Sequence, residues 1–247
     1  ELAAKNKSSC TWTLSNHDQI RHATKMGLNP AVNRRDWMLS NGTSHPLDMQ
    51  SGTQNALAAT VYILGLPGST YMYQGEELGL FEVEDLKEKD LQDPTWFRNV
   101  VKKMRKEKPS GLALIHTEKG RDGCRVPLPW APVGDSFEFS KSGKSHLPQP
   151  KWFKDFSVKI QSGIKGTTLE MYREALALRK VLQTEEELHW LPTKSVEVLH
   201  FARPNGWHCI MNFNSKPYKM PKGEILISSG PLKAGKIPPN TTIWFRP

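Results

Sequence analysis

The rhythm of hydrophobic and polar positions changes several times along the chain. Cys10-Thr11-Trp12-Thr13-Leu14-Ser15 is rich in β-forming residues and runs into the polar cluster Asn16-His17-Asp18. That pattern predicts a short buried strand with functional groups at its C-terminal end. Residues 21–50 read as polar and irregular, broken by Pro30, Gly42 and Pro46. From Gly52 to Leu64 apolar side chains cover much of a helical circumference. Ala56, Ala59, Thr60 and Ile63 lie on one side, with Leu57, Val61 and Leu64 beside them. Gly65 and Pro67 end that helix. Ser69 to Tyr73 reads as a second strand, closed by Gln74-Gly75-Glu76-Glu77. Strand, helix and strand in this order predict a parallel βαβ unit, and sites in such folds form at the carboxyl ends of strands. Asn16, His17 and Asp18 are therefore expected on one face with Gln74, Glu76 and Glu77.

Glu82 to Gly120 is highly charged with weak periodicity and reads as a loop or helical excursion. Gly123 to Gln149, rich in Gly, Pro and Ser, reads as a long ordered loop. Thr167 and Glu170 have capping-box spacing ahead of a helix that should end near Gln183. Leu169, Tyr172 and Leu176 form its apolar stripe. Beyond Glu187 short alternating runs appear: Val196 to Phe201, Trp207 to Phe213, Glu224 to Ile227 and Thr241 to Phe245. Pro204-Asn205-Gly206 between the first two is a hairpin signal. The pattern predicts an α/β portion over 1–186, with a charged insertion at about 82–120, and a small antiparallel, sandwich-like β domain over 187–247.

Composition narrows the function classes. With 37% hydrophobic and 24% charged residues in 247, the chain can build a core. Its longest apolar stretch, Ala56 to Pro67, holds Thr60, Tyr62 and Gly65 and is too short to cross a bilayer, so no membrane partner is expected. A net charge of +9 raises the question of nucleic acid. The densest basic run, Lys102 to Lys108, follows the acidic run from Glu82 to Asp90 and reads as a solvated insertion, so no nucleic-acid partner is expected. Cys10, Cys124 and Cys209 are far apart and odd in number, which suits free thiols in a reducing cytoplasm. No metal site and no cofactor motif is evident. The opening Glu1 to Lys5 reads like the tail of a helix, which suggests a chain that starts inside a larger protein, a trimmed product being the alternative.

A His and a carboxylate side by side at a strand end, His17 and Asp18, can grip sugar hydroxyls or place a proton. The longer constellation sharpens this. Leu14-Ser15-Asn16-His17-Asp18-Gln19, Leu66 to Leu80 with Tyr73-Gln74-Gly75-Glu76-Glu77, and Arg121-Asp122-Gly123-Cys124-Arg125-Val126-Pro127-Leu128-Pro129-Trp130 occur in one order. Together with Leu147-Pro148-Gln149-Pro150 and the helix from Tyr172 to Arg179, they make the chain resemble the α-glucosidases and oligo-1,6-glucosidases of glycoside hydrolase family 13.

The resemblance implies an eight-stranded β/α barrel (a TIM barrel) followed by an antiparallel β domain. Trp12 to Ser15 would be the seventh barrel strand, Ser69 to Tyr73 the eighth, and Thr168 to Gln183 a closing helix. It implies that Asp18 is the third catalytic carboxylate, neither nucleophile nor acid, gripping hydroxyls beside the reacting carbon. It further implies that His17 bonds the same sugar and that Arg125 helps hold the terminal glucose. A salt bridge pinning a loop is the other reading of Arg125. Glu76 and Glu77 read as a structural pair. Trp130 and Trp152 suit sugar stacking or ordinary packing alike.

Retaining hydrolysis needs two carboxyl groups about 5–5.5 Å apart. The family takes them from its fourth and fifth strands, and no such motif stands before Asn16. The expected partners are thus an α-glucoside oligosaccharide and the N-terminal half of the barrel, and the isolated chain is expected to be inactive. Glucose-transferring relatives such as trehalose synthases or sucrose-acting enzymes, and non-catalytic transporter-associated heavy chains, are the competing readings.

Overall fold

The structure is a computed structural model that describes residues 5–6, 8–105 and 108–247, and of 102–105 and 108–114 the backbone alone. Of the helix tail expected over Glu1 to Lys5, residues 1–4 lie outside the described residues. The described residues form two compact units: those of 1–14, 53–79 and 161–247 make one, and those of 15–52 and 80–160 the other. The boundary expected at 186/187 lies inside the first unit.

In the first unit β1 (Thr11–Thr13) pairs in parallel with β2 (Ser69–Tyr71), Trp12 opposite Thr70. The indole of Trp12 donates to Pro67 O at 2.6 Å. Gly68 has φ +89°, and a Cβ there would stand 2.1 Å from Cys10 O, so only glycine lets the two strands meet. Helix α3 (Met49–Gly65), most of which belongs to this unit, leaves orphan carbonyls at its end. Arg179 supplies donors there, to Leu64 O, to Leu66 O at 3.0 Å and to Gly68 O at 2.5 Å.

Arg179 belongs to α6 (Thr168–Leu182), whose start and end agree with the sequence reading. The capping box does not form. Thr167 Oγ1 donates to Gln161 O and Ile164 O, and Glu170 accepts from Gly163 N at 2.7 Å, so both side chains serve the preceding turn. Tyr172 on α6 and Thr60 on α3 join through their hydroxyls at 2.8 Å.

The antiparallel tail is a five-stranded sheet ordered β5 (His189–Trp190), β6 (Val198–Arg203), β7 (Trp207–Asn212), β11 (Thr241–Arg246) and β9 (Glu224–Ser228). β5 was not legible in the sequence. Nor was the separate pair β8 (Tyr218–Lys219) and β10 (Lys236–Ile237). Residues 204–206 form the expected β6–β7 connection, with Asn205 and Gly206 both at positive φ. Side chains alternate across β11, so that Trp244 joins Val61, Leu64, Tyr172, Phe201 and Trp207 on one face. Ile243 and Phe245 join Val198, Ile210 and Ile237 on the other.

The second unit corrects two expectations. Residues 21–50 are not irregular: they hold α1 (His22–Gly27) and α2 (Arg34–Leu39). Asn33 caps α2, its Oδ1 accepting from Arg35 N and Asp36 N. Six-residue helices are too short to display a period. Trp37, Met38, Leu28 and Val32 form their core. Residues 82–120 are not a loop or a helical excursion. They contain α4 (Pro94–Arg98) and an antiparallel hairpin of β3 (Val100–Arg105) and β4 (Lys108–His116). One further helix, α5, spans Val158–Gln161. Cys10, Cys124 and Cys209 are free thiols. No helix among the described residues is long and apolar enough to cross a membrane.

Candidate functional site

The second unit gathers the chemistry around one turn. Asn16 Oδ1 accepts from Asp18 N at 2.8 Å, which bends the chain and presents the Asp18 carboxylate, 47% exposed. Opposite it stands a 3₁₀ turn, Asp122–Arg125, preceded by Arg121. Arg121 Nη1 donates to Asp18 Oδ1 at 2.6 Å, and Arg125 Nη2 reaches the same oxygen at 3.1 Å. Arg125 Nε also donates to His17 O at 2.9 Å. His17 Nε2 lies 3.4 Å from Asp18 Oδ2. The structure thus brings Asp18, His17 and Arg125 together. The Arg121 hydrogen bond, helped by the charges of His17, Arg121 and Arg125, holds the Asp18 carboxyl below the usual carboxylate range.

Two residues that sequence reasoning did not single out support this turn. Arg121 is gripped by Asp93, which accepts from its backbone N, its Nε and its Nη2 at 2.6 to 3.0 Å. Asp93 also caps α4, accepting from Thr95 N at 3.0 Å. The Asp-Pro pair at 93–94, a cap followed by proline at the first helical position, was the available signal. Its link to Arg121 crosses 28 residues, which no local pattern reports.

Behind the turn, Ser15 Oγ accepts from His22 N and pairs with His22 Nδ1, both at 2.8 Å. Arg21 N donates to Glu82 Oε2 at 2.9 Å, and Arg21 Nη2 donates to Cys124 O at 2.8 Å. A cavity of about 170 Å³ lies beside Asp18, lined among others by Glu82, Lys119, Arg121 and Cys124. Lys119 Nζ donates to Asn41 Oδ1 and to Glu84 O. Burial pushes the Cys124 thiol up to about 12, so it stays protonated. Among the described residues no group of three or more side chains could hold a metal ion.

Trp130 is half-exposed, while Trp152 packs edge-on against Phe153 and Phe156. In the first unit Glu77 folds back on Gly75 N at 2.8 Å, and Glu76 is buried and bonded to Tyr172.

Burial raises Glu82 from 4.5 to about 7 and lowers His22 from 6.5 to about 4. Between pH 4.5 and 7 the folded chain keeps a proton on Glu82 that the unfolded chain has released. This stabilisation fades as pH rises. His22 acts in the opposite sense: between pH 4 and 6.5 only the unfolded chain holds its proton, so stability grows with pH. The two slopes offset each other in the native chain. Relative to it, Glu82→Gln is expected to gain about 1.4 kcal/mol per pH unit between roughly pH 5 and 6.5. Urea unfolding across that range reads the difference directly, and a difference independent of pH would show that Glu82 carries no such proton.

The chain is similar to several known proteins. A family model described as "Alpha amylase, catalytic domain" matches residues 2–186. A probable α-glucosidase of Rhizobium meliloti (strain 1021) is 28% identical over 215 residues, covering 83% of this chain and 31% of that protein. The solved structure of an α-glucosyl transfer enzyme, XgtA, matches at a TM-score of 0.67 and 26% identity, over 96% of this chain and 40% of the other. A trehalose-6-phosphate hydrolase of Bacillus licheniformis matches at 0.67 and 19% identity, over 98% and 43%, and that likeness shows the fold alone. The chain spans about a third of the length of the curated α-glucosidase it matches.

Proposed function

The chain belongs to the α-amylase catalytic-domain family, and from that premise we propose that it is part of a retaining glycoside hydrolase that releases terminal α-linked glucose from short oligosaccharides. The observation that carries this reading is the Asp18 carboxylate, ionised, half-exposed and flanked by His17 and two arginines. Asp18 grips the hydroxyls beside the reacting carbon. Those bonds strengthen as the ring flattens toward an oxocarbenium-like transition state, so they favour that state over the bound substrate. His17 bonds the same sugar. Arg125 steadies the terminal glucose while pinning its own turn to His17 O.

In this reading β1 and β2 are the seventh and eighth strands of a barrel. Among the described residues each pairs with the other alone, and parallel sheets are stable when covered on both faces and closed. The remaining strands, with the nucleophile and the general acid, come from sequence outside this chain. The isolated chain is therefore expected to release no glucose from maltose above the uncatalysed rate, and a longer protein carrying it to do so readily. Steady hydrolysis by the isolated chain would overturn this division of labour.

The similarity to an α-glucosyl transfer enzyme supports a second reading, transfer of glucose to a sugar hydroxyl instead of water. Product analysis separates the two. Free glucose as the main product from maltose favours hydrolysis, and longer or rearranged saccharides favour transfer.

A further inference from the structure

We infer that Asp93, acting through Arg121, is a positioning residue that fixes the Asp18 carboxylate with Oδ2 as the oxygen offered to the sugar. The inference rests on the role proposed for Asp18.

The Asp93 side chain has no exposure at all, and it meets Arg121 in three places. Arg121 N and Nε donate to Oδ2 at 2.8 and 2.6 Å, and Nη2 donates to Oδ1 at 3.0 Å. Asp93 is itself fixed from behind: its backbone N and that of Gln92 donate to the buried Asp122 at 2.8 and 2.7 Å. A guanidinium held by a fork and by its own main chain cannot turn. Its last free nitrogen, Nη1, points at Asp18 Oδ1. Arg125 Nη2 takes the other side of that oxygen.

A carboxylate oxygen has two lone pairs, and on Oδ1 both are engaged by cationic donors. Among the described residues Oδ2 meets only His17 Nε2, at 3.4 Å, and keeps capacity for a sugar hydroxyl. The titratable and charged groups facing Asp18 among the described residues are His17 on its own turn and Arg121 and Arg125 on the opposite one. Arg35, Glu118 and Lys119 join the lining of the cavity beside it.

Asp93→Asn keeps a good helix cap but loses the charge that holds the guanidinium. Arg121→Lys keeps the charge but has no planar fork for Asp93. The test is a pH titration of Asp18 by NMR on carboxyl-labelled aspartate, assigned with Asp18→Asn, in the isolated chain and its two variants. In both variants the Asp18 midpoint is expected to move up toward the ordinary carboxylate range, with circular dichroism unchanged. In a longer, glucose-releasing protein the same variants are expected to lower kcat about tenfold and leave KM within about twofold.

An Asp18 midpoint and a kcat both equal to the native ones in folded variants would overturn the inference. If Asp93→Asn does not fold, Arg121→Lys, at a side chain 37% exposed, decides alone. The titration needs neither sugar nor turnover. An active Asp18→Asn protein would therefore remove the role proposed for Asp18 and leave the positioning to be judged by the midpoint.

Discussion

Replacing Asp18 by asparagine in a glucose-releasing protein that carries this chain is expected to lower kcat/KM about a thousandfold. The two side chains have nearly the same shape, so the loss comes from charge and from hydrogen-bond polarity. Asp18 Oδ1 receives donors from Arg121 and Arg125. An asparagine must turn its carbonyl oxygen toward them, because its amide group cannot accept. The amide nitrogen then replaces Oδ2 and offers donors where the sugar hydroxyls need an acceptor. The negative charge facing the developing oxocarbenium is lost as well. These interactions grow as the ring flattens, so the defect should fall mainly on kcat and much less on KM. The carboxylate is half-exposed, so the fold should survive. Steady-state kinetics on maltose, with circular dichroism as the control for folding, gives the answer. A variant that kept more than a tenth of the native kcat/KM would remove Asp18 from the reaction.

What the sequence disclosed depended on the range of the interaction involved. The helix found at Met49–Gly65 and the strands around Trp207 and Thr241 are runs of apolar and β-forming residues long enough to be visible in one dimension. The two-residue strands β5, β8 and β10 have no room for a period, and α1 and α2 very little. Thr167 and Glu170 had the spacing of a capping box, yet their partners proved to be Ile164, Gln161 and Gly163, because the preceding turn competes for the same groups. The pairing of β3 with β4 was hidden by lysines that break the alternation of β3. At the site, His17 and Asp18 were legible as neighbours and Arg125 through the family resemblance. Arg121 lies in the same segment as Arg125 but carries no local signal, since its partner Asp93 is brought to it only by folding.

Truncation of Trp244 to alanine is expected to cost the first unit about 4 kcal/mol of stability. Trp244 has no exposed surface and lies where the sheet meets the helices. Its ring packs against Trp207 with centroids 5.0 Å apart, and Gly65 leaves room for its edge. Its indole N–H donates to Val61 O at 3.1 Å, which ties β11 to α3. Alanine would remove the apolar contact, the hydrogen bond and the aromatic pair together. The space left is enclosed by Trp207, Phe201 and Val61, themselves fully buried and unable to collapse without moving the strands. Trp244→Phe keeps the ring contact and loses the bond, so its cost should be less than half as large. Val196, 98% exposed, is the natural control, and Val196→Ala should change stability by less than about 0.5 kcal/mol. Urea unfolding of the three variants ranks them. Were Trp244→Ala to unfold at the same midpoint as Val196→Ala, the contact of sheet and helices around Trp244 would not be what holds this unit together.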